Sequence, residues 1–127
     1  MSGRWRVIRK QPSNEIVLAK AKWCASFWCH FKGLQFAAPL TDDQGLIFVH
    51  NSESKSRSIH MLFMRFSIGV VWLDRYGSVI DKKLAKPWRL MYAPAAPAQY
   101  YIEAMPAILD RVEIGDILSF EESTAET

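Results

Sequence analysis

The chain has 127 residues, half of them hydrophobic, with a formal net charge of +3 and two cysteines. That length suits one ordinary domain able to bury about two-thirds of its unfolded surface, which excludes a need for disulfide or metal staples. The aromatic-rich composition excludes a disordered chain, and the longest apolar run, Ile68 to Leu73, excludes a transmembrane helix, which takes about 20 residues.

From Arg4 to Lys10 charged and apolar residues alternate, so the amino end lacks the uninterrupted apolar core of a secretory signal. A cytoplasmic protein with no membrane partner is expected. Trp5 to Arg9 reads as a strand, Pro12-Ser13-Asn14 as a turn, and Glu15 to Trp23 as the returning strand of a hairpin. Ser26 can cap a short helix with Phe27, Trp28, Phe31 and Leu34 at helical spacing and Gly33 at its exit. If that segment is helical, Cys24 and Cys29 point in different directions, and two buried thiols are expected rather than a bridge.

Thr41-Asp42-Asp43-Gln44 predicts a turn, Leu46 to Val49 a buried strand and Asn51 to Arg57 a polar loop. The stretch Ser58 to Asp74 predicts two strands, Ser58 to Phe66 and Val70 to Asp74, with a bend or bulge at Ser67-Ile68-Gly69. Ser78 to Lys83 completes a hairpin over Asp74-Arg75-Tyr76-Gly77. From Ala85 to Pro97 three prolines, Pro87, Pro94 and Pro97, impose a long loop. Gln99 to Glu103 and Ile117 to Phe120 follow as strands, separated by a short helix from Pro106 to Val112 and a turn at Ile114-Gly115-Asp116. The fold expected is mainly β (α+β), a small β-sandwich or barrel of about eight short strands with one or two short helices at one side. It forms a single domain over residues 4–121, with 122–127 as a disordered tail.

Charge is unevenly spread. Seven Lys or Arg precede Gly33 against Glu15 alone, and seven acids follow Ile102 against Arg111 alone. The terminal strands are expected to lie together and neutralise one another. Weak nucleic-acid binding through Arg4, Arg6, Arg9, Lys10, Lys20, Lys22 and Lys32, with Trp5 for stacking, is a second alternative, although nucleic acid is not the partner expected.

Chemistry-bearing residues are sparse. His30, His50 and His60 show no zinc-ligand spacing, so no metal is expected. The cysteines lie among aromatics rather than in a nucleophile motif, and no phosphate-binding or dinucleotide motif occurs, so no cofactor is expected. In an extended strand His60 and Arg65 fall on opposite faces, so each is expected to pair with a carboxylate such as Asp74 or Glu103, to reach solvent at one end of the strand, or to line the mouth of a pocket. Trp88 and Arg89, beside Lys86 and Tyr92, offer an aromatic face next to cations. The expected site is therefore His60, Arg65, Trp88 and Arg89, binding a small anionic or sugar-like ligand in a non-enzymatic binding or accessory module. The alternative is a small hydrolase or isomerase with His60 as general base and Asp74 or Glu103 as orienter. The sequence does not fix an oligomeric state.

Between Lys32 and Phe120 a series of short segments, Lys32-Gly33-Leu34, Gly45-Leu46-Ile47-Phe48-Val49, Ser58-Ile59-His60-Met61, Val70-Val71-Trp72-Leu73-Asp74 with Gly77, Tyr101-Ile102-Glu103 and Gly115-Asp116, resembles in order and spacing the domain-of-unknown-function 192 family of small prokaryotic proteins. The resemblance implies the family's fold and no activity, since none is established for it. Two departures stand out: Ser67-Ile68-Gly69 replaces the family's Pro-Leu-Asp or Pro-Ile-Asp, and Met105-Pro106-Ala107 replaces its Pro-Ala-Gly. If relatives use that aspartate for chemistry or for binding a cation, no activity built on it is expected here.

Overall fold

The structure is a computed structural model that describes residues 5–25 and 39–122. Seven strands form one sheet: β1 (Trp5–Gln11), β2 (Glu15–Cys24), β3 (Gln44–Ser54), β4 (Ile68–Leu73), β5 (Val79–Ala85), β6 (Ala98–Ala104) and β7 (Ile117–Glu122). Their order is β5-β4-β6-β3-β2-β1-β7, and all neighbours are antiparallel except β2 and β3. The sheet curls into a half-barrel. At one end its edges meet: Ser78 bridges Ile117, and the Leu118 amide donates to the Gly77 carbonyl at 2.9 Å. Between the edges lies a 3-10 helix, Pro106–Asp110, with Pro106 in its first turn, where a missing N–H is harmless. Lys82 Nζ secures it by donating to the carbonyls of Leu109 (2.6 Å) and Val112 (2.8 Å).

Local chemistry explains the connections. The β1–β2 turn closes with Asn14 in the left-handed region at φ 67°, which asparagine tolerates. The β4–β5 hairpin turns on Asp74, whose Oδ1 accepts from the amides of Tyr76 (2.9 Å) and Ser78 (3.0 Å), and on Gly77 at φ 82°. A Cβ on Gly77 would meet the Leu118 carbonyl oxygen at 2.6 Å, so both the φ and the approach of β7 demand glycine.

The sheet buries both faces, as side-chain alternation then requires apolar residues at every position of the middle strands. Inside the curl, Ile8, Leu18, Ile47, Val71, Ile102 and Ile108 anchor one core; on the outer face, Phe48, Val70, Trp72 and Tyr101 anchor a second, covered by Ile59, Met61 and Met64. β4 sits between them and is buried at every residue.

Several expectations change. Ser58 to Phe66 is not a strand: the chain turns at Leu62 and Phe63 and lies over the outer face of the sheet. With a turn in place of a pleat, Met61 and Met64, three apart, point inward, while His60 and Arg65 are both exposed. Neither is a buried charge seeking a partner. Ser67-Ile68-Gly69 is not a bulge either, because Ile68 and Gly69 pair within β4 with Ala85 and Leu84. Cys24 is disulfide-bonded rather than a thiol. It ends β2, so the helical directions that argued against a bridge do not apply to it. The predicted helix at Ser26 to Leu34, with Cys29, His30 and Lys32, lies outside the described residues, as does Arg4.

The terminal strands do lie together. β1 and β7 pair from Arg6–Glu122 to Gln11–Ile117, and ion pairs join Arg6 to Glu122 (3.1 Å), Arg9 to Glu121 (2.7 Å) and Lys10 to Asp116 (3.5 Å). Arg6 also stacks over Trp23 at 4.1 Å and Lys20 over Trp5 at 4.6 Å. Much of the basic amino end is thereby engaged within the fold.

Candidate binding rim

Two irregular segments from distant parts of the chain are joined into one layer over the outer core. The amide of Ile59 donates to the Tyr92 carbonyl and the amide of Tyr92 to the Ile59 carbonyl, both at 2.9 Å. The Met61 amide donates to the Arg89 carbonyl at 2.8 Å, and the Trp88 amide to the Met61 carbonyl at 2.7 Å. These bonds satisfy backbone groups that a sheet ladder would otherwise have served. They also hold the His60 and Trp88-Arg89 segments side by side. Tyr92 strengthens the joint, its hydroxyl accepting from the Lys86 amide at 3.0 Å.

The outward side of this layer is aromatic and cationic. Phe63 and Trp88 meet edge to face with ring centroids 5.2 Å apart. Both sit in the left-handed region, at φ 65° and 68°, a conformation that costs an L-residue about 1–2 kcal/mol. Strain of that kind persists only where the surroundings impose it, and two bulky aromatics sharing it mark a site candidate. Trp88 remains 58 % exposed, and His60, Arg65, Lys86 and Arg89 are exposed as well. The His60 imidazole is turned toward its own loop, Nδ1 accepting from the Leu62 amide at 3.3 Å.

On the same sheet lies Glu103, a charged residue that is only 8 % exposed. On β6 it is flanked by Leu46 of β3 and Val70 of β4. Burial pushes its pKa up to about 8 with no counteracting cation or donor, so at neutral pH it is mainly a protonated acid. Burial also raises the neighbouring Tyr101 phenol, and proximity to Glu103 adds to the effect. Glu103 therefore does not serve as the carboxylate partner anticipated for His60 or Arg65. Asp74 does not either, its Oδ1 being committed to the hairpin turn.

Other features escaped the sequence reading. Leu90 and Met91, at the tip of the second segment, are 75 % and 68 % exposed. A usable signal existed: no Asp or Glu occurs between Arg57 and Leu73 or between Lys82 and Ile102, so an apolar-cationic surface follows once the two stretches are juxtaposed. Among the described residues no group of His, Cys, Asp and Glu is arranged to hold a metal.

The chain is 38 % identical over 104 residues to the UPF0127 protein TK1120 of Thermococcus kodakarensis, covering 80 % of this chain and 64 % of that one. It is 36 % identical over 104 residues to UPF0127 protein PF1050 of Pyrococcus furiosus, covering 80 % of this chain and 86 % of that protein. This chain thus spans less than two-thirds of the Thermococcus relative. A Sinorhizobium meliloti crystal structure, described as a candidate transcription regulator, superposes with a TM-score of 0.81 at 17 % identity, covering 94 % of this chain and 96 % of its own. A Novosphingobium aromaticivorans protein of unknown function superposes at 0.74 and 17 % identity, covering 91 % and 83 %. At that identity the likeness is one of fold. The model of DUF192, described as "Uncharacterized ACR, COG1430", matches residues 8–120, and with it the half-barrel and its order of segments are accounted for: the chain belongs to this family of uncharacterised proteins.

Proposed function

We propose that this protein is a non-enzymatic binding or accessory module whose rim, formed by His60, Arg65, Trp88 and Arg89, takes a small anionic or sugar-like ligand. The observation that carries the reading is the backbone zipper between the two segments. It fixes an exposed indole and its edge-on phenyl partner among cations, in two stretches that contain no acid. Aromatic faces stack on sugar rings or planar ligands, and guanidinium groups give charge-assisted hydrogen bonds to anions. Against a hydrolase or isomerase with His60 as base stands the commitment of Asp74 to its turn and the protonated state of Glu103. The disulfide at Cys24 is of a kind that persists where thiols are not kept reduced, which weighs against a cytoplasmic placement. No helix among the described residues is long and apolar enough to cross a membrane.

A heparin-derived oligosaccharide offers both sugar faces and anions and serves as the probe. Titration calorimetry should show binding by the native chain, weakened about tenfold or more in the Trp88→Ala, Arg89→Ala double variant. Equal affinity in the two proteins, with the fold intact by circular dichroism, would refute the reading.

A further inference from the structure

We infer that the rim docks on an anionic lipid surface, with Leu90 and Met91 entering the headgroup region; this rests on the binding-rim reading above and names the partner of that site. A soluble anion or sugar has no use for Leu90 and Met91. Both are aliphatic, lie next to each other at a loop tip, and expose three-quarters and two-thirds of their surface. Water-facing aliphatic side chains of that size, clustered with an exposed Trp, mark a contact surface rather than a random one. Base stacking explains Trp88 and Phe63 but not Leu90 and Met91, which have no π-face. Insertion into the boundary between headgroups and acyl chains explains all of them, since Trp sits naturally at that level.

Charge decides the kind of surface. Lys86 and Arg89 flank the pair in sequence and are exposed, as is Arg65 two residues from the Phe63 ring that meets Trp88, whereas the next lysines inward are occupied. Lys83 Nζ donates to the Ala93 carbonyl at 2.6 Å and Lys82 Nζ to carbonyls of the 3-10 helix segment. With no acid in either stretch, the cations left at the tip face their partner unneutralised, complementary to anionic headgroups and indifferent to zwitterionic ones. The fold gives the tip a firm base through the Trp88–Met61 and Tyr92–Ile59 backbone bonds. The absence of a membrane partner expected from the sequence rested on the lack of a spanning segment, and peripheral docking needs none.

Vesicle sedimentation tests the proposal with phosphatidylcholine alone and phosphatidylcholine mixed with phosphatidylglycerol. The native chain should sediment with the mixed vesicles, more weakly at high salt, and not with phosphatidylcholine alone. Leu90→Ser with Met91→Ser, and separately Arg65→Gln with Arg89→Gln, should each weaken binding by about tenfold. Tyr76→Ser, which removes a 75 % exposed aromatic at the β4–β5 hairpin tip, should bind as the native chain does. No vesicle binding, equal binding to both compositions, or loss of binding in Tyr76→Ser would overturn the proposal. So would binding to a single-stranded oligonucleotide that outcompetes the vesicles and survives Leu90→Ser with Met91→Ser. Failure with vesicles alongside oligosaccharide binding that depends on Trp88 and Arg89 would leave the rim standing and remove the membrane; failure with both would remove the rim as well.

Discussion

Ile68–Leu73 and the residues just before it, Ile59–Phe66, are both dense in Ile, Leu, Met, Phe and Val, yet the first is buried at every position while the second alternates buried Ile59, Met61 and Met64 with exposed His60, Phe63 and Arg65. The difference lies in their hydrogen-bond partners. β4 has β5 on one side and β6 on the other, so its pleat places Val71 and Leu73 in the inner core and Val70 and Trp72 in the outer. The preceding segment finds no strand to pair with. It bonds instead to the irregular run at Trp88–Tyr92, which relaxes the period-two rule and lets it turn cations and rings outward. Apolar content alone therefore marks what can be buried; the availability of ladder partners decides whether the segment becomes core or becomes a cover with a usable outer side.

Breaking the core half should be the more damaging. Trp72→Ala removes a fully buried indole whose Nε1 donates to the Arg57 carbonyl at 2.7 Å, and should cost about 3–5 kcal/mol in denaturant unfolding. Met91→Ala, in the cover, should stay within about 0.5 kcal/mol of the native chain. Equal losses would erase the distinction between the two regions.

The buried middle of the sheet has its own signature in pH. Glu103 is held at about 8 in the folded chain against an ordinary value of 4.5, so the folded state keeps a proton that the unfolded state releases. This contribution is fully present below pH 4.5 and is lost as pH rises toward and through 8. The slope should reach at most about 1.4 kcal/mol per pH unit. Glu103→Gln should flatten that slope and raise stability at the alkaline end. An unchanged slope in denaturation curves taken across this window would show that Glu103 is not buried in the folded chain.

Gly69→Ala sharpens the comparison from inside β4. The added Cβ would lie 2.7 Å from Ile108 Cγ2 and 3.1 Å from Leu109 Cγ, and shifting the 3-10 helix should cost about 1–3 kcal/mol. A smaller stability effect than that of Gly69→Ala belongs to Trp88→Gly. Relief of the left-handed strain offsets loss of the Phe63 contact, leaving stability within about 1 kcal/mol while oligosaccharide affinity falls. A large loss of stability would make Trp88 a structural lid rather than a binding residue.

Much of the fold was legible. The terminal hairpin, the Asp74–Gly77 turn, the proline-started helical turn at Pro106 and the pairing of basic and acidic ends follow from local signals whose chemistry is short-range. Ser58 to Phe66 was misread because strand propensity registers β-branched and aromatic content without registering the absence of a neighbour. The four proposed rim residues differ in how far the sequence reveals their setting. Trp88 and Arg89 are visible in the sequence as an aromatic beside a cation, whereas the exposure of His60 and Arg65 comes from a turn, not a pleat. Leu90 and Met91 were passed over because exposure is a tertiary property. The bond at Cys24 was hidden by an argument about helix geometry that does not apply at the end of a strand.

Amide hydrogen exchange, residue by residue, with and without the heparin-derived oligosaccharide, bears most directly on the division between core and cover. The amides of Ile59, Met61, Trp88 and Tyr92 should exchange by local opening in the free protein and slow on binding, while those of Ile68–Leu73 exchange only with global unfolding and do not respond. Protection that appears instead on β1 and β2, or cover amides as slow as those of β4 in the free protein, would contradict the account.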